Sequence, residues 1–146
     1  MNQLKRILYA EDNPNDVELT LTALAECNLA NKVDVVRDGQ EVMDYLVCEG
    51  AFRDRPPDPP VLVLLDLKMP KLDGIDVLKR LKSDGRFRTI PVVILTSSRE
   101  ERDLVESYRL GVNAYVVKPI GLSEFVEAVR ELGVFWGILN EVPSSP

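Results

Sequence analysis

Histidine is absent from this chain of 146 residues, and cysteine occurs only twice. Without histidine the chain has no histidine base, no imidazole metal ligand and no phosphohistidine of its own. The two cysteines, Cys27 and Cys48, do not have the close spacing of a metal-binding pair. We therefore expect two reduced thiols rather than a disulfide framework or a zinc site.

Long apolar runs and an excess of basic residues are also missing. No run approaches the ~18 apolar residues that span a bilayer, and the N-terminal residues lead directly into a strand-like segment. The formal net charge is −6, whereas nucleic-acid binding requires clustered Lys and Arg. These features predict a cytoplasmic protein with neither a membrane nor a nucleic-acid partner.

What the chain does contain is a regular alternation of short apolar runs with longer amphipathic segments. Residues 1–146 fit a single domain, and five strand–helix repeats predict a doubly wound α/β fold with a five-stranded parallel sheet and five helices. The second run alternates with charged residues, so we expect it at a sheet edge. The five runs are Ile7–Ala10, Val33–Val36, Val61–Leu65, Val92–Leu95 and Ala114–Val117.

The five helices are placed by their caps and apolar spacing. The first is predicted to begin with Asn13 as cap and Pro14 at its first position. The second follows Gly39, the third follows Asp73-Gly74, and the fourth lies between Ser98 and Gly111. The fifth is predicted from about 122 to 139, extending into a tail over about 133–146. Between the second helix and the third strand, residues 49–60 form a proline-rich loop.

Polar residues follow four of the five strands. In open α/β sheets, ligands bind beyond the carboxyl ends of the strands. Glu11-Asp12 follow the first run, Asp66 the third, Thr96 the fourth and Lys118 the fifth. Three carboxylates in one cleft repel each other unless a cation is present, and oxygen ligands with room for water suit Mg²⁺. With the lysine and the hydroxyl, such a site is suited to phosphoryl transfer.

Each residue taken alone also has a structural interpretation. An Asp after a strand is commonly a turn or a helix cap, Glu11-Asp12 and Thr96 could cap helices, and Lys118 could be a solvated charge. Their joint occurrence at the ends of four strands favours a functional site.

The combination of Glu11-Asp12, Asp66 within the segment LLDLKMPKLDG, Thr96 and Lys118-Pro119 resembles the receiver domain of two-component response regulators. The resemblance covers residues from about 5 to 132. It implies a flavodoxin-like sheet with strand order 2-1-3-4-5 and Asp66 as phospho-acceptor. It also implies that Asp12 binds Mg²⁺ directly and Glu11 through metal-bound water, with the backbone carbonyl of Lys68 as a further ligand.

The same resemblance assigns three switch residues and one backbone feature. Lys118 would pair with Asp66 and then with the phosphoryl oxygens, and the peptide bond to Pro119 is expected to be cis. Thr96 would turn its hydroxyl onto the phosphoryl group, and Tyr115 would move inward with it.

A narrower similarity points to the small response regulators that pair with bacterial phytochromes. It depends on the insert at 49–60, the DLKMPKLDG segment and the terminal FWGILNEVP. It implies a sensor histidine kinase as partner, of phytochrome type. The apolar residues that continue past Leu132 also predict a homodimer through the fifth helix and the tail.

Four other functions stay open at this stage. A metal-dependent phosphatase would need an acid two residues after Asp66, where this chain has Lys68. A nucleotide or flavin binder would need a glycine-rich or Ser/Thr-rich phosphate loop in place of Glu11-Asp12. A degenerate receiver would act only as a scaffold, and a phosphorelay carrier would pass its phosphoryl group to a His-phosphotransfer protein.

Overall fold

A computed structural model of the protein describes residues 6–26, 32–67, 69, 71–96, 109, 114–117 and 121–131. Its core is one parallel sheet of five strands in the order β2-β1-β3-β4-β5. The predicted fold class and strand order are therefore confirmed, and β2 lies at an edge as expected. The strands are β1 Ile7–Ala10, β2 Val33–Val36, β3 Leu62–Asp66, β4 Val92–Thr96 and β5 Ala114–Val117.

Four α-helices are described, together with a short 3-10 turn at Gly50–Phe52 in the proline-rich insert. Apart from Arg109, the predicted fourth helix lies outside the described residues, as do the tail after 131 and the end of the predicted fifth helix. None of the described helices is long and apolar enough to span a bilayer. The helices are α1 Pro14–Ala25, α2 Gly39–Val47, α3 Gly74–Ser83 and α4 Leu122–Glu131.

Side-chain caps determine where the first three helices begin. Asn13 accepts hydrogen bonds from the N–H groups of Asn15 at 2.9 Å and Asp16 at 3.2 Å, which confirms the predicted start of α1. Asp38 caps α2 and Asp73 caps α3 in the same manner. Each cap satisfies backbone donors that a helix leaves unpaired in its first turn.

The sheet has one apolar cluster on each face, because successive strand side chains point in opposite directions. Leu8 and Ala10 pack with α2 and α3 residues in one cluster. Ile7 and Tyr9 lie in the other, with Leu24 of α1 and Phe125 of α4. Apolar spacing in the sequence favours Val17, Leu21 and Leu24 on the inner face of α1, yet its fully buried residues are Thr20 and Leu24.

The insert after α2 is held by a chain of polar contacts near the start of β1. Arg55 lies 3.9 Å from the centre of the Tyr45 ring and donates two hydrogen bonds to the Tyr45 carbonyl, at 3.0 and 2.8 Å. The Tyr45 hydroxyl donates to Asp34 at 2.5 Å, and Arg6 pairs with the same carboxylate at 2.6 Å. The proline-rich segment is thus tied to the edge strand β2.

Two glycines allow close backbone approach around the carboxyl end of β3. A Cβ at Gly39 would overlap the Leu72 carbonyl oxygen, and one at Gly74 would lie 2.5 Å from the Asp66 carbonyl oxygen. Real Cβ atoms do not approach other atoms so closely. The start of α3 and the start of α2 therefore press directly against the segment that follows Asp66.

The Arg6–Asp34–Tyr45 contacts predict a specific pH dependence of stability. Partial burial alone would raise the pKa of Asp34, but hydrogen bonds from Arg6 and Tyr45 outweigh burial and lower it. A lowered folded-state pKa stabilises the protein above the unfolded value of about 3.9, and this contribution is lost as pH falls through the folded-state pKa. At pH 7 we expect Asp34→Asn to reduce the free energy of unfolding by about 1 kcal/mol.

Urea denaturation between pH 7 and pH 2.5 measures this difference, with the exposed Asp58→Asn as control. The gap between wild type and Asp34→Asn should narrow below about pH 4. A gap that stays constant down to the lowest pH would contradict the assignment.

The Gly74 contact predicts a stability loss that helix propensity alone would not give. Gly74→Ala should lower the free energy of unfolding by roughly 1–3 kcal/mol, because the new methyl group must displace the Asp66–Leu67 backbone. Gly85 is the matched control, since a Cβ there meets nothing within 4 Å, and Gly85→Ala should change stability by less than about 0.5 kcal/mol. Equal stability of the two variants in chemical denaturation would refute the close contact.

Candidate functional site

The carboxyl ends of β1 and β3 bring three acidic side chains together. Glu11 and Asp12 directly follow β1, and Asp66 is the last residue of β3, the neighbouring strand. One carboxylate oxygen from each of the three lies within 4.8 Å of the others. The three acids singled out from the sequence thus form one cluster, called the acidic cluster below.

Burial increases the electrostatic repulsion between the carboxylates of the acidic cluster. Glu11 is 1% exposed and Asp66 4% exposed, while Asp12 is exposed to solvent. Carboxylates removed from water at this spacing repel each other unless positive charge or hydrogen-bond donors compensate. Hard oxygen donors with one exposed member are the ligand chemistry that Mg²⁺ and similar divalent cations use, so the donor set fits such an ion.

Backbone hydrogen bonds continue past the strand ends and hold both buried acids. The Glu11 N–H donates to the Val36 carbonyl at 3.0 Å, and the Leu67 N–H donates to the Leu95 carbonyl at 3.3 Å. These hydrogen bonds extend the strand pairing to Glu11 and to Leu67, the residue after Asp66. Both buried acids are therefore held by the sheet rather than by flexible loops. A cleft of about 280 Å³ adjoins the cluster and is lined by Glu11, Asp12, Pro14, Val17, Val35 and Arg37.

The segment after Asp66 is fastened to the start of α2. Lys71 has a left-handed backbone with a φ of 68°, and its ammonium group lies 3.4 Å from a carboxylate oxygen of Asp38. A non-glycine residue in this conformation costs about 1 kcal/mol or more, so surrounding contacts must hold it. Asp38, the cap of α2, supplies one of these contacts.

Tyr9 is a neighbour of the acidic cluster that was predicted only as part of the first strand. Its hydroxyl lies 3.4 Å from Oε1 of Glu11 and 3.0 Å from Oγ1 of Thr20. Burial is the main cause that raises the pKa of Tyr9, and the nearby Glu11 raises it further. The sequence signal that could have identified it is the one hydroxyl in an otherwise apolar strand. Tyr9 lies two residues before Glu11, so both side chains are expected on the same face of the sheet.

The remaining predicted site residues are described only in part or not at all. Thr96 and Tyr115 have their backbones in β4 and β5, where Ile94 pairs with Tyr115 and Thr96 with Val117. Asp66 pairs with Leu95, so Thr96 is placed one residue past the level of Asp66 on the adjacent strand. The side chains of Thr96 and Tyr115 lie outside the described part of the chain, as do Lys68, Lys118 and Pro119, and their roles stay predictions.

Comparison with proteins of known sequence supports the same interpretation of the fold. Response regulator Rcp1 of Synechocystis sp. strain PCC 6803 is 36% identical over 135 residues, which cover 92% of this chain and 90% of Rcp1. The solved structure of Rcp1 in its Mn²⁺-bound form matches with a TM-score of 0.74 and covers 97% of this chain and 99% of that one.

Two further solved structures are more similar in sequence. The bacteriophytochrome response regulator AtBRR is 57% identical with a TM-score of 0.86, covering 95% of this chain and 99% of that chain. The bacteriophytochrome response regulator RtBRR is 54% identical with a TM-score of 0.86, covering 97% and 86%. Residues 7–130 match the family described as response regulator receiver domain, and the chain therefore belongs to that family.

Proposed function

We propose that this receiver accepts a phosphoryl group on Asp66 from a phosphohistidine of a sensor kinase, and that phosphorylation changes its contacts with other proteins. The observation that carries the proposal is the acidic cluster, in which Asp66 lies within 4.8 Å of two further carboxylates in a chain of the receiver family. The chain then acts as a signalling switch that promotes its own phosphorylation and dephosphorylation, rather than as an enzyme with a separate substrate.

Asp66 is suited to be the nucleophile because its position is fixed. It ends a fully buried strand, and its carbonyl is packed against Gly74. In the transfer, a carboxylate oxygen of Asp66 forms a bond to phosphorus while the bond from phosphorus to the donor imidazole nitrogen breaks. The imidazole leaves with the bonding electron pair, and the product is an aspartyl phosphate. Such transfers depend mainly on positioning and charge neutralisation.

The cluster supports Mg²⁺ as the cofactor, held by Asp12 and Asp66 with Glu11 acting through water. Asp12 is the exposed member and so has room for direct coordination, with the Lys68 carbonyl as a proposed further ligand. Bound Mg²⁺ would neutralise negative charge on the carboxylates and the phosphoryl oxygens. The Mn²⁺ in the Rcp1 structure agrees with this choice, because Mn²⁺ and Mg²⁺ both favour octahedral oxygen ligands.

Switching is assigned to Lys118, Thr96 and Tyr115. Phosphorylation adds about 1.5–2 negative charges at Asp66, and a lysine ammonium and a threonine hydroxyl can both bond to phosphoryl oxygens. The placement of Thr96 in β4, beside β3, supports its part in this response. The neighbouring Tyr115 in β5 is proposed to reorient with Thr96.

A phytochrome-type sensor kinase is the proposed partner. AtBRR and RtBRR are both bacteriophytochrome response regulators, and their similarity covers 95% and 97% of this chain. Within this chain the insert is built from contacts that place Arg55 over Tyr45, so its shape is defined before any partner binds. We propose that residues 1–146 act as a single receiver domain with a C-terminal tail.

The phospho-acceptor assignment predicts a single site of modification. With Mg²⁺ and acetyl phosphate, the wild-type chain should gain one acyl phosphate that intact-mass spectrometry detects, and EDTA should prevent it. Asp66→Asn should abolish the added mass, because the amide is not a nucleophile. Asp73→Asn is the matched control, since Asp73 caps α3 and asparagine caps equally well. Modification of Asp66→Asn at the wild-type rate would disprove the assignment.

The apolar tail predicts a homodimer through the last helix and the residues that follow it. The apolar pattern of α4 continues in the sequence through Phe135, Trp136 and Leu139, and an apolar stripe longer than one sheet needs is typical of an interface. Sedimentation of the full chain at tens of micromolar should give a dimer. A chain ending at Leu132 retains the matched residues 7–130 and should be a folded monomer. Monomers in both samples, with and without phosphorylation, would exclude the dimer.

A further inference from the structure

The hydroxyl of Tyr9 lies where β1, α1 and the acidic cluster meet. Three oxygen atoms surround it: Oγ1 of Thr20 at 3.0 Å, the carbonyl oxygen of Asp16 at 3.3 Å and Oε1 of Glu11 at 3.4 Å. Tyr9, Thr20 and Glu11 are all buried, with exposures of 0%, 1% and 1%. A buried polar group of this kind needs partners, and here the partners include a member of the acidic cluster.

The acceptors around Tyr9 determine where its hydroxyl hydrogen can point. Tyr9 has one hydroxyl hydrogen to donate, and the two acceptors available to it besides Thr20 differ in strength. The Asp16 carbonyl belongs to α1, where it accepts from the N–H four residues later, whereas an ionised carboxylate forms the stronger, charge-assisted bond. Tyr9 is positioned to donate to Oγ1 of Thr20 and to Oε1 of Glu11. Because the Thr20 hydroxyl can also donate, Tyr9 can direct its single hydrogen to Glu11.

The second oxygen of Glu11 is held separately. The backbone N–H of Asn13 donates to Oε2 of Glu11 at 3.4 Å, and Asn13 is itself fixed as the cap of α1. The Glu11 carboxylate is therefore restrained through both of its oxygens, one from the cap and one from the buried tyrosine. A carboxylate restrained in this way loses less rotational freedom when a cation binds nearby.

We propose that Tyr9, supported by Thr20, is a positioning residue that orients Glu11 and thereby sets the affinity of the acidic cluster for its divalent cation. The inference rests on the proposed function, because it requires a cation at the cluster. Tyr9 acts only through Glu11, so it is neither a ligand nor a catalytic residue. Outer hydrogen-bond partners of metal ligands commonly have this role.

The test is Tyr9→Phe in the full chain, which keeps the buried ring and removes only the hydroxyl. Calorimetric titration with Mg²⁺ should show about tenfold weaker binding, the lower end of the usual loss for such a partner. In acetyl phosphate reactions, the loss should appear in the Mg²⁺ concentration at half-maximal rate rather than in the maximal rate. Thr20→Val should weaken binding in the same direction by a smaller factor.

Tyr45→Phe is the matched control. Tyr45 is also a buried tyrosine that donates to a carboxylate, Asp34, but its partner lies outside the acidic cluster. Loss of the Tyr45 hydroxyl should lower the thermal unfolding temperature and leave the Mg²⁺ affinity unchanged. An equal change of Mg²⁺ affinity in Tyr9→Phe and Tyr45→Phe would mean general destabilisation and overturn the proposal.

A double-mutant cycle with Glu11→Gln tests whether Tyr9 acts through Glu11. In the Glu11→Gln background, Tyr9→Phe should have no further effect on Mg²⁺ affinity. The same tenfold loss in both backgrounds, or unchanged affinity in Tyr9→Phe alone, would overturn the proposal while leaving the proposed function intact. Absence of Mg²⁺ binding by the wild type, with Asp12→Asn identical to it, would instead refute the proposed function and this inference with it.

Discussion

Two buried carboxylates at the ends of adjacent strands are the constraint around which this protein is arranged. Glu11 and Asp66 are both nearly inaccessible to solvent and share a cluster with Asp12. Bringing like charges together in a low-dielectric environment is unfavourable, so the fold must hold these residues in place by other means. The sheet ladder does so through backbone hydrogen bonds on each side of the cluster, and a divalent cation would relieve the remaining repulsion.

The surrounding backbone keeps that arrangement rigid. Gly74 lets α3 begin against the Asp66 carbonyl, and Gly39 lets α2 begin against Leu72. The ion pair between Lys71 and Asp38 fastens the same loop, whose backbone includes a left-handed lysine. The phosphoryl group that we propose at Asp66 would thus enter a segment whose backbone has little freedom to adjust to the new charge. We therefore expect the neighbouring strands to change conformation in response to the added charge.

The sequence alone predicted the five strands and the acidic cluster, because these depend on local signals. Continuous apolar runs indicate buried parallel strands, and acids directly after such runs must meet where neighbouring strands end. The cap Asn13 and Pro14 were predicted for the same reason, since capping depends only on adjacent residues. The strand order came from resemblance to receivers, because spacing in one sequence does not determine which strands pair.

Tertiary contacts account for what the sequence did not show. Apolar spacing favoured Val17, Leu21 and Leu24 for the inner face of α1, yet Thr20 is buried and Leu21 is only partly so. The reason is the Tyr9 hydroxyl across the interface, which no periodicity on α1 could reveal. The stacking of Arg55 on Tyr45 was equally hidden, because it joins a helix to a segment whose composition indicated only a proline-rich loop.

Two buried tyrosines among the described residues show that a hydrogen bond from a tyrosine to a carboxylate can serve different purposes. Tyr45 donates to Asp34, whose carboxylate has the Arg6 guanidinium at 2.6 Å, so that network contains its own counter-charge. Tyr9 contacts Glu11, whose carboxylate lies within 4.8 Å of two others, so its network adds to a concentration of negative charge. A hydrogen bond beside a balanced ion pair mainly contributes stability. A hydrogen bond that orients one of several clustered carboxylates mainly affects how strongly a cation is bound. The network of Tyr45 is therefore structural, whereas that of Tyr9 belongs to the proposed cation site.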